Sequence, residues 1–119
     1  MNTELIKYVE NLQNNYSTIS EKRKILLVEI AEAITIALKK NQRLNLMYVC
    51  THNSRRSQYG QVWAHFAVHY FGIKNIQVFS GGTETTAFHQ NAMDALSRAG
   101  FKISMSKQNE NPRVNFIFG

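Results

Sequence analysis

Between residues 44 and 57 the chain changes its hydrophobic period, and that change limits the folds open to it. Leu44-Asn45-Leu46-Met47-Tyr48-Val49 is an apolar, β-prone run too short for a stable helix. From Ser57 onward apolar side chains recur at helical spacing instead, with Tyr59, Val62, Trp63, Phe66, Ala67 and Tyr70 on one face. Gly72 is placed to stop that helix, and residues 76–79 form a second short apolar run. Strand, helix and strand joined this closely predict a right-handed βαβ unit with parallel strands. At 119 residues there is room for one core of this kind.

The flanks extend the pattern. Leu5, Val9, Leu12 and Tyr16 sit at helical spacing over residues 3–15. After a break at residues 17–20, Ser20 is a suitable N-cap for a second helix, whose stripe is Leu27, Ile30, Ala31, Ile34 and Leu38. That helix ends in Lys39-Lys40, charges suited to the negative end of its dipole. The two helices read as a hairpin, a helical extension over residues 1–42 packed on an α/β domain over residues 43–119, one globular unit in all. Packing support or homodimerisation is its expected role. Beyond the second strand, a helix over residues 88–99 is expected. Residues 102–105 and 113–118, either side of a polar turn through Asn111-Pro112, are set to pair as a hairpin.

Composition narrows the function classes. No apolar run approaches the roughly 18 residues of a membrane span. The first residues lack a basic stretch followed by an apolar core, so no secretory signal is read. A single cysteine, Cys50, leaves no internal disulfide and fits a reducing cytoplasm. The formal charge of +6 favours acidic or phosphorylated partners. A basic solvated surface explains that charge more simply than a specific nucleic-acid site. His65 and His69 lie four apart on one helix, but no third ligand stands at a fitting spacing, and neither a metal nor a cofactor is expected.

The cysteine ends the first apolar run, and Arg56 follows it after five residues. A short loop from strand to helix gathers backbone N–H groups at the positive end of a helix dipole, which makes a cradle for a tetrahedral oxyanion. The same field lowers the pKa of a thiol placed at its first position, so that a nucleophilic thiolate exists near neutral pH. Arginine adds a planar fork able to grip two phosphate oxygens. The N–H groups of Thr51, His52, Asn53, Ser54, Arg55 and Arg56 would complete the cradle. Asn53 tolerates left-handed backbone and can bond across the loop. Ser57 can donate to the thiolate and ease its departure. Cys50, Arg56 and Ser57 are the expected catalytic set, and Ser54 more a shaper of the loop than a reactant.

Cys-x5-Arg-Ser resembles the protein tyrosine phosphatase signature. The fuller string Val49-Cys50-Thr51-His52-Asn53-Ser54-Arg55-Arg56-Ser57 is similar to that of the low-molecular-weight branch and of the arsenate reductases that share its fold. Phe79-Ser80-Gly81-Gly82-Thr83-Glu84 resembles the segment after the second strand in those proteins. Asn91-Ala92, Ala95-Leu96 and Ala99-Gly100-Phe101 match their next helix and turn, so the likeness covers residues 44–104. It implies a three-layer α/β/α fold with a parallel sheet of four strands, of which this chain offers two and a hairpin. It implies a phosphocysteine intermediate, and a supporting role beside the loop for Ser80, Gly81 and Gly82. The N-terminal helices are an addition to the compact family members.

The departures from the family are specific. His52 stands where relatives carry glycine; it either biases substrate choice or protonation, or is a passive rim residue. Arg55 replaces a second cysteine that traps the oxidised nucleophile in many relatives. The general acid of the family lies in an Asp-Pro segment, and this chain has none. Its only aspartate, Asp94, falls in a helical pattern, which leaves Glu84 as a substitute on a loop. Three function classes follow. One is a phosphatase, weakened by the missing acid, for phosphorylated protein or small aryl phosphates. Another is an arsenate reductase that borrows an external thiol. The third is a non-catalytic oxyanion-binding or interaction module.

Overall fold

A computed structural model describes residues 3–84, 87–106 and 113–117. Among these residues four α-helices and four strands follow in the order α1 (Thr3–Asn14), α2 (Glu21–Lys39), β1 (Leu44–Cys50), α3 (Arg56–Tyr70), β2 (Ile76–Gly82), α4 (Gln90–Ala99), β3 (Lys102–Ser106) and β4 (Arg113–Ile117), with a short 3-10 helix, Tyr16–Thr18, between α1 and α2. The chain is α/β. β1 and β2 are parallel, in a register that sets Leu44 against Ile76 and Cys50 against Gly82. β3 and β4 form a separate antiparallel pair, with Lys102 opposite Ile117. The turn expected through Asn111-Pro112 lies outside the described residues.

Each local signal has a visible cause. The Ser20 side chain accepts the Arg23 N–H at 3.3 Å and opens α2. α3 stops at Tyr70, with Gly72 just beyond it at φ +63°. β2 runs three residues further than its apolar stretch, through Ser80-Gly81-Gly82, because the ladder to β1 continues to the level of Cys50. α4 starts two residues later than its pattern suggested. His89 is the cap, its Nδ1 accepting the Asn91 N–H at 3.0 Å.

The core lies between α1, α3 and α4. Leu5, Val9, Val62, Phe66, Leu96, Ala99 and Phe101 are buried together, and Tyr59, Trp63, Tyr70 and Phe88 pack around them. Trp63, Phe66 and Phe101 meet edge to face, the arrangement that ring quadrupoles favour. Gly100, at φ +120°, lets α1 come close: a Cβ there would stand 2.7 Å from the Leu5 amide nitrogen. The large side chains of α3 expected as core therefore are core.

α2 departs from expectation. It buries no residue, and its stripe is covered only toward the C-terminal end, where Ile34 and Leu38 are half-buried; Leu27 and Ile30 remain 46% and 57% exposed. α1 packs on α4 and α2 reaches β1, and the apolar side chains of α2 before Ile34 stay largely exposed. One face of the sheet carries the contacts with α3, through Tyr48 against Gly60 and Gln61 against Val78. On the opposite face Met47 and Val49 stay 60% and 64% exposed. No described helix is long and apolar enough to cross a membrane.

Candidate functional site

Cys50 is the last residue of β1, and Arg56 is the first of α3, so residues 51–55 form the loop between them. The chain reverses there through Asn53, which adopts φ +50°, a left-handed conformation that asparagine tolerates better than most residues. The turn directs the Asn53 N–H to the Cys50 sulfur at 3.2 Å. The Ser57 hydroxyl lies 3.0 Å from the same sulfur and 2.7 Å from Asn53 Oδ1. Ser57 is 2% exposed, in contrast to the loop rim.

Four of the five loop carbonyls have hydrogen-bond partners outside the 51–55 segment. Thr51 O accepts from Thr83 Oγ1 at 3.2 Å and from the Glu84 N–H at 3.0 Å. Asn53 O accepts from Gln58 Nε2 at 3.0 Å, Ser54 O from the His89 N–H at 2.9 Å, and Arg55 O from the Tyr59 N–H at 2.8 Å. Among the described residues no N–H of residues 51–56 donates to a backbone carbonyl. The loop thus spends most of its acceptors on neighbouring segments and none of its N–H groups on a backbone carbonyl, an arrangement suited to an anion.

Gly82 fixes how closely β2 approaches. A Cβ at that position would lie 2.8 Å from both the amide nitrogen and the Cβ of Asn53, and 2.9 Å from Thr51 O. Glycine is therefore required there by contact with loop backbone. Gly81, whose added Cβ would meet only Met47 sulfur at 3.6 Å, carries no such constraint. Ser80 reaches the loop indirectly. Its hydroxyl donates to Gln61 Oε1 at 2.6 Å and lies 3.4 Å from Gln58 Oε1, and Gln58 in turn holds Asn53 O.

The Cys50 thiol is lowered to about 7, first by the Ser57 hydroxyl and then by the Ser57 N–H; partial burial opposes this, and the N–H groups of Asn53 and Ser54 add to it. The hydroxyl has one proton to give. In the thiol form, S–H donates to Ser57 Oγ while the hydroxyl donates to Asn53 Oδ1. In the thiolate form the hydroxyl turns to sulfur, and the Asn53 amide must present its NH₂ edge to Oγ instead. Asn53 and Ser57 are thus coupled to the charge of Cys50.

The rim is polar and charged. His52 Nδ1 pairs with Glu84 Oε2 at 2.9 Å, with side chains 57% and 59% exposed. Arg55 Nη2 lies 2.6 Å from His89 Nε2. Arginine only donates, and His89 Nδ1 already faces the Asn91 N–H. A neutral imidazole has one accepting nitrogen, so the helix cap and Arg55 compete for it. Arg56 is exposed, and its guanidinium has no side-chain partner among the described residues.

The sequence had not pointed to His89, Gln58 or Gln61. Histidine is not among the favoured caps, so His89 carries no terminal signal. Gln58 and Gln61, polar and three apart on one side of the helix, were the available clue to a polar strand neighbour. Asp94 accepts from Gln90 Nε2 at 2.8 Å on an exposed turn of α4, away from the loop. His65 and His69 are exposed on α3, and no three metal-binding side chains gather among the described residues. An open cleft of about 610 Å³, lined by Glu4, Ser97, Gly100, Phe101 and Lys102 among others, sits at the C-terminal end of α4, the opposite end from His89. No protein-family model matches the chain, and neither does any curated protein or solved structure.

Proposed function

We propose that this chain is a cysteine-dependent phosphomonoesterase, acting on phosphotyrosine or small aryl phosphates, with Cys50 as nucleophile. The observation that carries the reading is the loop from Cys50 to Ser57. It combines a sulfur lowered to about 7, an Asn53 N–H aimed at that sulfur, N–H groups that no backbone carbonyl accepts, and four carbonyls engaged by neighbouring segments. A buried structural cysteine needs none of these. The Cys50 thiolate attacks phosphorus and the phosphorus–oxygen bond to the aryl group breaks, leaving a phosphocysteine. Water then attacks phosphorus, the sulfur–phosphorus bond breaks, and phosphate and thiolate are released. The N–H groups stabilise charge on the equatorial oxygens, and Arg56 closes over them. Ser57 stabilises sulfur as it leaves. In this reading the β1–α3–β2 unit is the front of a three-layer α/β/α sheet of the low-molecular-weight phosphatase kind.

Rapid mixing with p-nitrophenyl phosphate tests it. The expected result is a burst of nitrophenolate equal to the enzyme present, followed by slower turnover. Cys50→Ser removes the burst and retains phosphate binding, whereas Arg56→Ala removes both. Phosphate binding without a burst would replace the enzyme with an oxyanion-binding module. Arsenate consumption that needs an added thiol, in place of ester hydrolysis, would favour the reductase reading; Cys50 is the chain's single cysteine.

A further inference from the structure

The chemistry proposed above lacks a proton donor for the departing oxygen, and one pair of side chains at the loop mouth has the form of such a donor. We propose that His52 and Glu84 are the proton-transfer pair of this site, an assignment that rests on the reading of Cys50 as nucleophile.

Four observations carry it. His52 lies two residues beyond Cys50, within the loop that aims the Asn53 N–H at the sulfur. Its Nδ1 is bound to Glu84 Oε2 at 2.9 Å, which leaves Nε2 as the nitrogen able to exchange a proton. A carboxylate on one imidazole nitrogen fixes tautomer and ring orientation and stabilises the imidazolium. Glu84 is not a chance neighbour: its own N–H and the Thr83 hydroxyl both bind Thr51 O, and Gly82 seats the segment against Asn53. Among the described carboxylates, Glu84 is the one that pairs with a loop residue.

The charged groups around the mouth are Glu84 from the segment after β2, Arg55 and Arg56 from the loop and the start of α3, the Cys50 thiolate, and His89 at the head of α4 against Arg55. In the first step imidazolium Nε2–H gives its proton to the aryl oxygen as the phosphorus–oxygen bond breaks. In the second, neutral Nε2 takes a proton from the water that attacks phosphocysteine. The ring ends as it began, and one water has been consumed.

The test measures burst and steady-state rates for a series of aryl phosphates of rising leaving-group pKa, with His52→Asn and Glu84→Gln beside the parent chain. Burst size comes first. A missing burst in the parent chain refutes the nucleophile itself, and the pair's role falls with it. Given a burst, His52→Asn should leave the burst rate with p-nitrophenyl phosphate within about threefold. It should slow the burst with phenyl phosphate by about 10²- to 10³-fold, the range of general acid help. Steady turnover should slow for both esters, and the alkaline limb of the parent burst rate on phenyl phosphate should vanish. Glu84→Gln should do the same to about a tenth of that extent. Iodoacetate alkylation of Cys50 against pH monitors the loop, and its inflection should stay near 7 in both variants. An equal loss on both esters with a shifted inflection assigns His52 a structural role. Unchanged rates on both esters make it a bystander. Either result overturns the proposal.

Discussion

The floor of the Cys50 loop and its rim differ in how their polar groups are satisfied. At the floor, Cys50, Asn53, Ser57 and Gln58 form a part-buried chain in which each group serves the next. At the rim, His52 meets Glu84 and Arg55 meets His89 through single contacts in solvent. Networked bonds in a partly dry setting stiffen one another, while exposed pairs contribute little and are screened by salt. The floor should therefore decide whether sulfur is reactive at all, and the rim which esters are cleaved and at what pH. Damage to the floor should affect every substrate alike; damage to the rim should discriminate.

After loss of Cys50 or Arg56 themselves, the largest effect is expected at Gly82. In Gly82→Ala the added methyl meets Asn53 and Thr51 backbone atoms at under 3 Å, and backbone cannot swing aside as a side-chain tip can. Overpacking of this kind costs about 1–3 kcal/mol. The chain should fold with a lower melting temperature, and the burst rate should drop at least 100-fold on good and poor leaving groups alike. Gly81→Ala, with ordinary contacts only, is the control and should fall less than threefold. Equal behaviour of the two variants would break the contrast between floor and rim at its firmest point.

Ser57→Ala comes next and has a sign that can be worked out. The hydroxyl is the leading cause of the lowered thiol, so its removal must raise the Cys50 pKa from about 7 toward the ordinary range. Thiolate, the reactive form, is populated above the pKa. The acid limb of kcat/KM should therefore move to higher pH by about one unit, a tenfold loss on the acid side of that limb. On the alkaline side, the deficit left is the lost help to departing sulfur. A limb that stays near 7 in Ser57→Ala would show that the N–H groups alone set the thiol, and that the floor is less interdependent than its bonds suggest.

What the sequence disclosed follows the same division. The floor was legible because its residues are neighbours in sequence and their spacing encodes the turn: Cys50, Asn53 and Ser57 were assigned from position, and each reaches the sulfur or its partner. Gly82 was legible only as one of two glycines; which of them matters depends on the β1–β2 register that sets it opposite Cys50. The rim was mostly hidden, since His52 and Glu84 are 32 residues apart and Arg55 and His89 are 34 apart. Contacts of that kind come from packing, and no local period announces them. α2 shows the converse limit. Its stripe follows helical spacing well and forms a helix, yet spacing cannot say whether another element arrives to cover Leu27 and Ile30.

The smallest expected effect is at Arg55, and it separates two accounts of the rim. If Arg55 were a part of the cradle comparable to Arg56, Arg55→Ala would lower kcat and destroy phosphate affinity. Its guanidinium instead lies against His89, an exposed contact in competition with the α4 cap. Removing it takes one positive charge from beside the anion and lets His89 Nδ1 accept the Asn91 N–H without a rival. The first change is worth the few tenths to 1 kcal/mol of an exposed charge, so KM should rise about two- to fivefold with kcat unaltered. That difference should shrink as salt rises, because the screening length falls to about 10 Å at 0.1 M. The second change favours the cap, so the melting temperature should hold or rise slightly, although a side-chain contact has been lost. Steady-state kinetics at low and high salt, with a thermal melt on the same protein, read both. A kcat lower by more than tenfold would move Arg55 into the floor, and a clear drop in melting temperature would show that its contact with His89 holds α4 in place.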